Sequence, residues 1–327
     1  MKELVGRVSP LIGETEHSRF GREQIAEMLL SAALQKQSIE FVSQKPTGDT
    51  VFLRLKAGLT VTNLREVIAM SRPIVKEPVR IAIDVHDVMY YGDRFQGIVG
   101  TRERAGSNFA FKYLVAKIVG SKHVYVVGLR ELTDGRVTES TIEMLEELRK
   151  AYDISEILMD GGFPSSVLIE YLNGRGMHYV CRFRSTTTVR NADIRYNEPV
   201  HYSTVKKTRG DRPNTLAVDF FVYRYKGHKT DFYLISDRKE DAKSIRMEFK
   251  KRWGIETGFR DNNRVKIKTC TKNFLVRIFI YFLACLVYNL WVRIRAVIGI
   301  RLNELKIELL SYLKNILADS GLKIRWL

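Results

Sequence analysis

Apolar residues recur at helical spacing up to about residue 75, then give way to short runs broken by turns. Ile25, Met28, Leu29, Ala32 and Ala33 fall on one face of a helix that Ser18 is placed to cap. Lys45-Pro46-Thr47-Gly48-Asp49 reads as a loop, the apolar run Val51–Leu55 follows, and Leu64, Val67 and Ile68 mark another helix. From residue 78 strands take over. Arg80–Asp84 is a short apolar strand, followed by a polar loop that includes Tyr90–Asp93 and Gly100–Gly106. Phe109–Val119 and His123–Leu129, joined by Gly120-Ser121-Lys122, predict an antiparallel meander. A helix over Thr138–Lys150, a strand over Glu156–Asp160, a helix over Pro164–Leu172 and a strand over Met177–Phe183 come next. Such an order calls for a mixed sheet with helices on its faces.

Residues 184 to 236 break the alternation. They are rich in Thr, Tyr, Val and Arg and read as a β-rich insertion, with Leu216–Tyr225 and Asp231–Ile235 as its clearest hairpin. A long helix starting near Arg238 carries Glu256, an apolar segment spans Phe274–Ile300, and an amphipathic tail follows. The domain expectation is therefore a mainly helical region at 1–75, either a DNA-binding or a packing module, a mixed-sheet domain at 78–295 with its insertion at about 184–236, and a helical tail at 296–327. The helical region is short, which makes a truncated copy one expectation. Ile278–Val292 is apolar but short of the roughly 20 residues that span a bilayer, and Asn289 interrupts it, so a buried core helix is expected and no membrane.

Charge narrows the choice of partner. Fifty-four Lys and Arg against 37 Asp and Glu give a net charge of +17, which favours polyanions, nucleic acid foremost. The basic run Lys206-Lys207-Thr208-Arg209 suits phosphate contact on that ground. Three cysteines without CxxC spacing exclude a disulfide framework or zinc finger and fit a reducing cytosol. Met1-Lys2-Glu3-Leu4 begins no apolar signal segment, so a cytoplasmic, nucleoid-associated protein is expected. The six histidines show no paired zinc spacing, and no Gly-rich Walker-type loop occurs.

Three acids far apart in sequence carry the candidate chemistry. Asp84 and Asp160 each end an apolar strand, the latter before Gly161-Gly162-Phe163, and Glu256 lies in the basic helical stretch Phe249–Glu256. Carboxylates on rigid elements are what two divalent ions about 3.5–4 Å apart need for phosphodiester chemistry. Singly, each has a plainer reading. Asp160 suits a turn, and Glu256 suits a helix ion pair with Arg252 or Arg260.

Three blocks together resemble a DDE transposase of the insertion-sequence type, in the IS-four superfamily and its archaeal branch. They are Ile81–Gly92 around Asp84, Ile157–Phe163 around Asp160, and Arg252-Trp253-Gly254-Ile255-Glu256-Thr257-Gly258-Phe259-Arg260. The resemblance spans roughly residues 78 to 295. It implies an α/β fold with a ribonuclease-H-like mixed sheet flanked by helices, the β-rich insertion and a helical N-terminal region. It also implies Asp84, Asp160 and Glu256 as catalytic ligands of two Mg2+ (or Mn2+) ions, cleavage at transposon ends and strand transfer. Double-stranded DNA, as terminal inverted repeats and as target, and a homodimer in the synaptic complex follow as partners. On the glutamate helix the family's Tyr, Arg, Glu, Lys signature maps to Phe249, Arg252, Glu256 and Asn263, with Arg264 or Lys266 standing in for the missing lysine and Arg260 a further DNA contact. Phe249 lacks the hydroxyl that would bond phosphate. A ribonuclease-H-like nuclease without strand transfer, an inactive DNA-binding derivative and a basic membrane-surface protein remain open at this point.

Overall fold

The computed structural model describes residues 1–14, 19–95, 97–104, 106–121, 123–133, 135–184, 194–207, 215–228, 230–318 and 320–326. Helices α1 (Lys2–Val8), α2 (Arg22–Gln35), α3 (Ile39–Val42), α4 (Gly48–Gly58) and α5 (Val61–Met70) come first, with the short strand β1 (Ser43–Lys45) between α3 and α4. Strands β2 (Val79–Tyr90), β3 (Val99–Arg104), β4 (Ser107–Val119) and β5 (Tyr125–Leu132) lead to α6 (Val137–Arg149), β6 (Ile154–Met159), α7 (Ser166–Gly174) and β7 (Tyr179–Phe183). Then come β8 (Pro199–Lys207), β9 (Thr215–Tyr225), β10 (Phe232–Ser236), α8 (Ala242–Lys250), α9 (Trp253–Asn262), α10 (Phe274–Ile298), α11 (Leu302–Leu317) and β11 (Lys323–Ile324). Side-chain caps fix several helix starts. The Ser165 hydroxyl accepts from Leu168 N–H, Asp241 from Ser244 N–H and Asn273 from Val276 N–H. Pro164 therefore precedes α7 and its cap. Ser18 lies outside the described residues; α2 starts at Gly21, whose N–H donates to Gln24 Oε1 at 2.9 Å.

These elements form two units. The first comprises Met1–Pro73, Tyr125–Leu129 and Thr257–Leu327, and the second Ile74–Val124 and Arg130–Glu256. The first unit is built on α10, whose neighbours are α1, α2, α4 and α5. By length and composition α10 could cross a membrane, but 94% of its most apolar window is buried within the protein. Asn289, the polar break in that helix, holds the strand segment beside it. Its Nδ2 donates to Val126 O at 2.8 Å and its Oδ1 accepts from Val126 N–H at 2.9 Å, both in the interior. A peptide edge is satisfied on both sides by one amide side chain.

The second unit carries a sheet with strand order β3-β4-β2-β6-β7-β10-β9-β8. The β2–β6 and β6–β7 pairs are parallel, and the other neighbours along this path are antiparallel. β2 does not stop at Asp84. It pairs without a break with β4, from Arg80↔Val119 to Tyr90↔Phe109, so the polar stretch after Asp84 is strand because its backbone has a partner. Val99–Arg104 is likewise strand β3 on the outer side of β4. The strands of the 184–236 region extend the same sheet, since β10 runs beside β7 with Tyr233↔Phe183 and Ile235↔Cys181 in register. In place of one long helix from Arg238 there are two. α8 ends in a tight turn, with Lys251 N–H on Glu248 O and Arg252 N–H on Phe249 O, and α9 begins at Trp253. Gly254 permits the second helix to lie close to the sheet, since a Cβ there would stand 3.2 Å from Val124 Cγ2 and 3.4 Å from Val119 Cγ1.

Replacing Asn289 with Leu leaves the Val126 N–H and C=O buried without their partner. Chemical denaturation is expected to show a loss of about 2–4 kcal/mol, while Asn289→Gln loses less.

Candidate active site

Side chains alternate across a strand, so Arg80, Ala82 and Asp84 of β2 share a face. The register Arg80↔Glu156, Ala82↔Leu158 and Ile83↔Met159 puts Glu156, Leu158 and Asp160 on that same face. Asp84 and Asp160 thus occupy neighbouring positions where the two parallel strands end their pairing. Both rise from a dry floor, because Ile81, Ala82, Ile83, Ile157, Leu158 and Met159 are all fully buried. Lys117, also fully buried, is in register with Ala82 on this face.

The helix pair α8–α9 supplies the third acid from above. Glu248 pairs with Arg80 at 2.8 Å, and Arg252 pairs with Asp84 at 3.1 Å and with Glu256 at 2.8 Å. Arg252 is only 6% exposed, and its guanidinium lies 5.4 Å from the centroid of the Phe249 ring. The ring without its hydroxyl still serves, as the face on which the guanidinium rests.

Two tiers of charge result. In the upper one, Glu156 accepts from Arg238 and lies 3.6 Å from Arg80, while Glu248 pairs with Arg80 and Lys251. Burial and then the neighbouring Glu248 carboxylate push Glu156 up to about 7. In the lower tier, burial pushes Asp84 up to about 6. Arg252 and the Val85 N–H, which donates to Asp84 Oδ1 at 2.8 Å, oppose that rise, and the Asp160 and Glu256 carboxylates add to it. Asp84 is near enough to Asp160 and to Glu256 to feel the charge of each. Asp160 Oδ1 is buried with no hydrogen-bond partner.

Among the described residues no three His, Cys, Asp or Glu side chains already surround a point that could hold a metal ion. Arg252 stands between Asp84 and Glu256, as it must where carboxylates meet without another cation. The donors nevertheless suit hard divalent cations. They are carboxylate oxygens on rigid elements, one of them an orphaned acceptor, in a setting that raises a neighbouring acid.

The other sequence candidates separate. Arg252 and Phe249 belong to this site. Arg260, Arg264 and Lys266 belong to the first unit, where Lys266 is pushed down to about 8 by burial and by Arg277 and Lys36. Lys206 and Lys207 lie on β8, but their side chains, like Arg209 altogether, are outside the described part. What local sequence did not reveal is Arg182. Met159↔Cys181 makes it the next position beside Asp160 on the same face, and only strand register carries that signal.

The family profile described as Transposase DDE domain matches residues 101–290, a stretch that includes Asp160 and Glu256 and begins after Asp84. No curated protein matches the sequence. Among solved structures, a piggyBac transposase synaptic complex with hairpin DNA superposes with a TM-score of 0.64 at 15% identity, over 98% of this chain and 80% of that one. That likeness concerns the fold, a mixed sheet flanked by helices of the ribonuclease-H-like kind. With the profile covering more than half of its length, the chain belongs to the transposase DDE domain family.

Proposed function

We propose that this chain cuts DNA at the ends of its own mobile element and joins the freed 3′-hydroxyl to target DNA, with Asp84, Asp160 and Glu256 as the ligands of two Mg2+ (or Mn2+) ions. The observation that carries the reading is the placement of Asp84 and Asp160 side by side on one sheet face, where the β2–β6 pairing stops, with Asp84 and Glu256 sharing a single guanidinium. When bound, the ions supply Lewis-acid activation of the attacking and leaving oxygens. The protein's own groups do the remainder. The apolar floor beneath Asp84 and Asp160 limits water and keeps the carboxylates from relaxing. Arg252, resting on Phe249, turns from carboxylate to phosphate once other cations neutralise the acids, and its planar fork suits two phosphate oxygens.

Finer placement follows the same residues. The block Arg252–Arg260 supports assignment to the archaeal branch of the IS-four superfamily. The piggyBac structure is described as a synaptic complex with hairpin DNA, which supports DNA as the partner. Bringing two ends together calls for a second copy of this chain, hence a homodimer. Lys206, Lys207, Arg209, Arg260, Arg264 and Lys266 are proposed DNA contacts, the helical region 1–75 a DNA-binding module, and the nucleoid of the cytoplasm the working location.

Two experiments follow. Asp84→Asn, Asp160→Asn and Glu256→Gln are each expected to lower Mg2+-dependent cleavage of the element's ends by roughly 10³-fold or more while leaving DNA binding intact. In the parent, cleavage without joined product in a strand-transfer assay would favour a plain nuclease. The second concerns stability in EDTA. Asp84 is raised from 3.8 to about 6 in the folded protein. Its contribution is therefore full below the unfolded value and lost as pH rises through 6. Asp84→Asn should stabilise the metal-free protein by up to about 3 kcal/mol at pH 8, shrinking to about 1 kcal/mol near pH 4.5. Mg2+ at pH 8 should raise the melting temperature of the parent and leave that of the variant almost unmoved.

A further inference from the structure

A cavity of about 380 Å³ opens beside Asp160, on the flank away from Asp84. Its walls are Asp160-Gly161-Gly162, Arg182-Phe183-Arg184 and Asp231-Phe232-Tyr233, from three successive elements of the sheet. The volume falls within the roughly 300–1,000 Å³ typical of ligand pockets. Arg182 follows Cys181, the register partner of Met159, so it stands next to Asp160 on the same face. Arg184 projects from the end of the same strand two residues on, in the alternation that returns a side chain to that face. Both stems pass Gly161: a Cβ built there would lie 3.7 Å from the Cγ of each arginine. Glycine thus leaves room for the stems of both arginines beside the Asp160 turn.

The cavity's charged lining is Arg182 and Arg184 against Asp160 and Asp231. Arg182 and Arg184 are both exposed, and neither forms an ion pair among the described residues. The carboxylate that faces them, Asp231, is already engaged. It accepts from Tyr196 Oη at 2.7 Å and from the Arg224 fork at 2.7 and 3.0 Å, and these bonds hold it below the usual carboxylate range. Phe232 is stacked on Tyr225 with ring centroids 5.1 Å apart, so its ring is committed as wall. What the cavity offers a ligand is therefore two adjacent arginine forks, which match phosphate oxygens.

We propose that Arg182 and Arg184 grip a phosphodiester of the DNA strand adjacent to the one held at Asp84, Asp160 and Glu256. The inference rests on the reading of those carboxylates as the reacting centre. The two arginines are positioning residues: they touch the backbone of the strand and set where its reacting bond falls relative to Asp160. They act without regard to base sequence, since phosphate contacts fix register and orientation.

Fluorescence anisotropy with a fluorescein-labelled duplex of random sequence tests this, in EDTA and across a NaCl series, so that no chemistry intervenes. Arg182→Ala and Arg184→Ala should each reduce the slope of log affinity against log salt by about 1. The double substitution should weaken binding roughly tenfold at moderate salt. Arg182→Lys and Arg184→Lys keep the charge and should keep the slope. Circular dichroism melts equal to the parent's establish that the variants are folded, as expected for exposed side chains. Lys150→Ala, an exposed cation by the cavity at the opposite ends of β6 and β7, is the control for bulk charge. A drop equal to that control, or slopes unchanged in the double variant, overturns the proposal alone. A parent that binds no DNA overturns both the proposal and the functional reading beneath it.

Discussion

Like charges gathered in a dry place need a counter-charge, and in this protein Arg252 provides it. Its guanidinium is shared by Asp84 and Glu256, from a sheet and a helix 168 residues apart in the case of the first pair. Arginine cannot be deprotonated in a protein, so its charge is permanent and the acids beside it can stay ionised or nearly so. Even so, burial lifts Asp84 to about 6. The site is therefore under electrostatic tension, which a bound cation would relieve and a burying mutation would aggravate. Stability is given up locally for a charge arrangement that folding alone would not choose.

Much of the scaffold can be understood as what this arrangement requires. Two acids come side by side because two strands run parallel, and their pairing stops just before Asp84 and Asp160, where β6 ends while β2 continues. The third acid comes from the helix pair α8–α9, which is ion-paired to β2 through Arg80 and Asp84. Glu248 on Arg80 pins one end of that helix pair, Arg252 on Asp84 pins the next, and Gly254 permits the close approach between them. The break at Lys251–Arg252 has its reason here too. Arg252 lies in that turn, paired with Asp84 on one side and Glu256 on the other.

The acids were legible in the sequence because each ends or follows a local pattern: apolar runs before Asp84 and Asp160, and the basic block around Glu256. The strands were legible where apolar runs are short and continuous. Legibility failed where long-range pairing overrode local polarity. His86-Asp87 after Asp84 look like loop residues, yet β4 offers them a full ladder of backbone partners. Gly100 and the charged residues after it are strand for the same reason. Nor could periodicity show that the C-terminal helices share a unit with the N-terminal ones, since that depends on which faces meet across two hundred residues. Arg182 was invisible for a related cause: its place beside Asp160 is a matter of register, and register has no local signature.

The two tiers of charge on one sheet face show how a site can be told from a brace. In the upper tier every carboxylate meets a cation within ion-pairing distance: Glu156 has Arg238 and Arg80, and Glu248 has Arg80 and Lys251. This network orders the helix on the sheet, although Glu156 Oε2 within it is buried without a hydrogen bond. In the lower tier one guanidinium is divided between two carboxylates, and a third carboxylate oxygen, Asp160 Oδ1, is buried without a hydrogen bond. The tiers share strands and helices but not depth, the Glu156 side chain being 4% exposed and that of Glu256 44%. A buried acceptor left open costs about 1–3 kcal/mol, and a chain with a net charge of +17 does not lack cations to close it. Each tier therefore holds one buried carboxylate oxygen without a hydrogen bond, Glu156 Oε2 above and Asp160 Oδ1 below; what sets the lower tier apart is that Asp160, unlike Glu156, forms no ion pair among the described residues, so its carboxylate is the one open to a further cation.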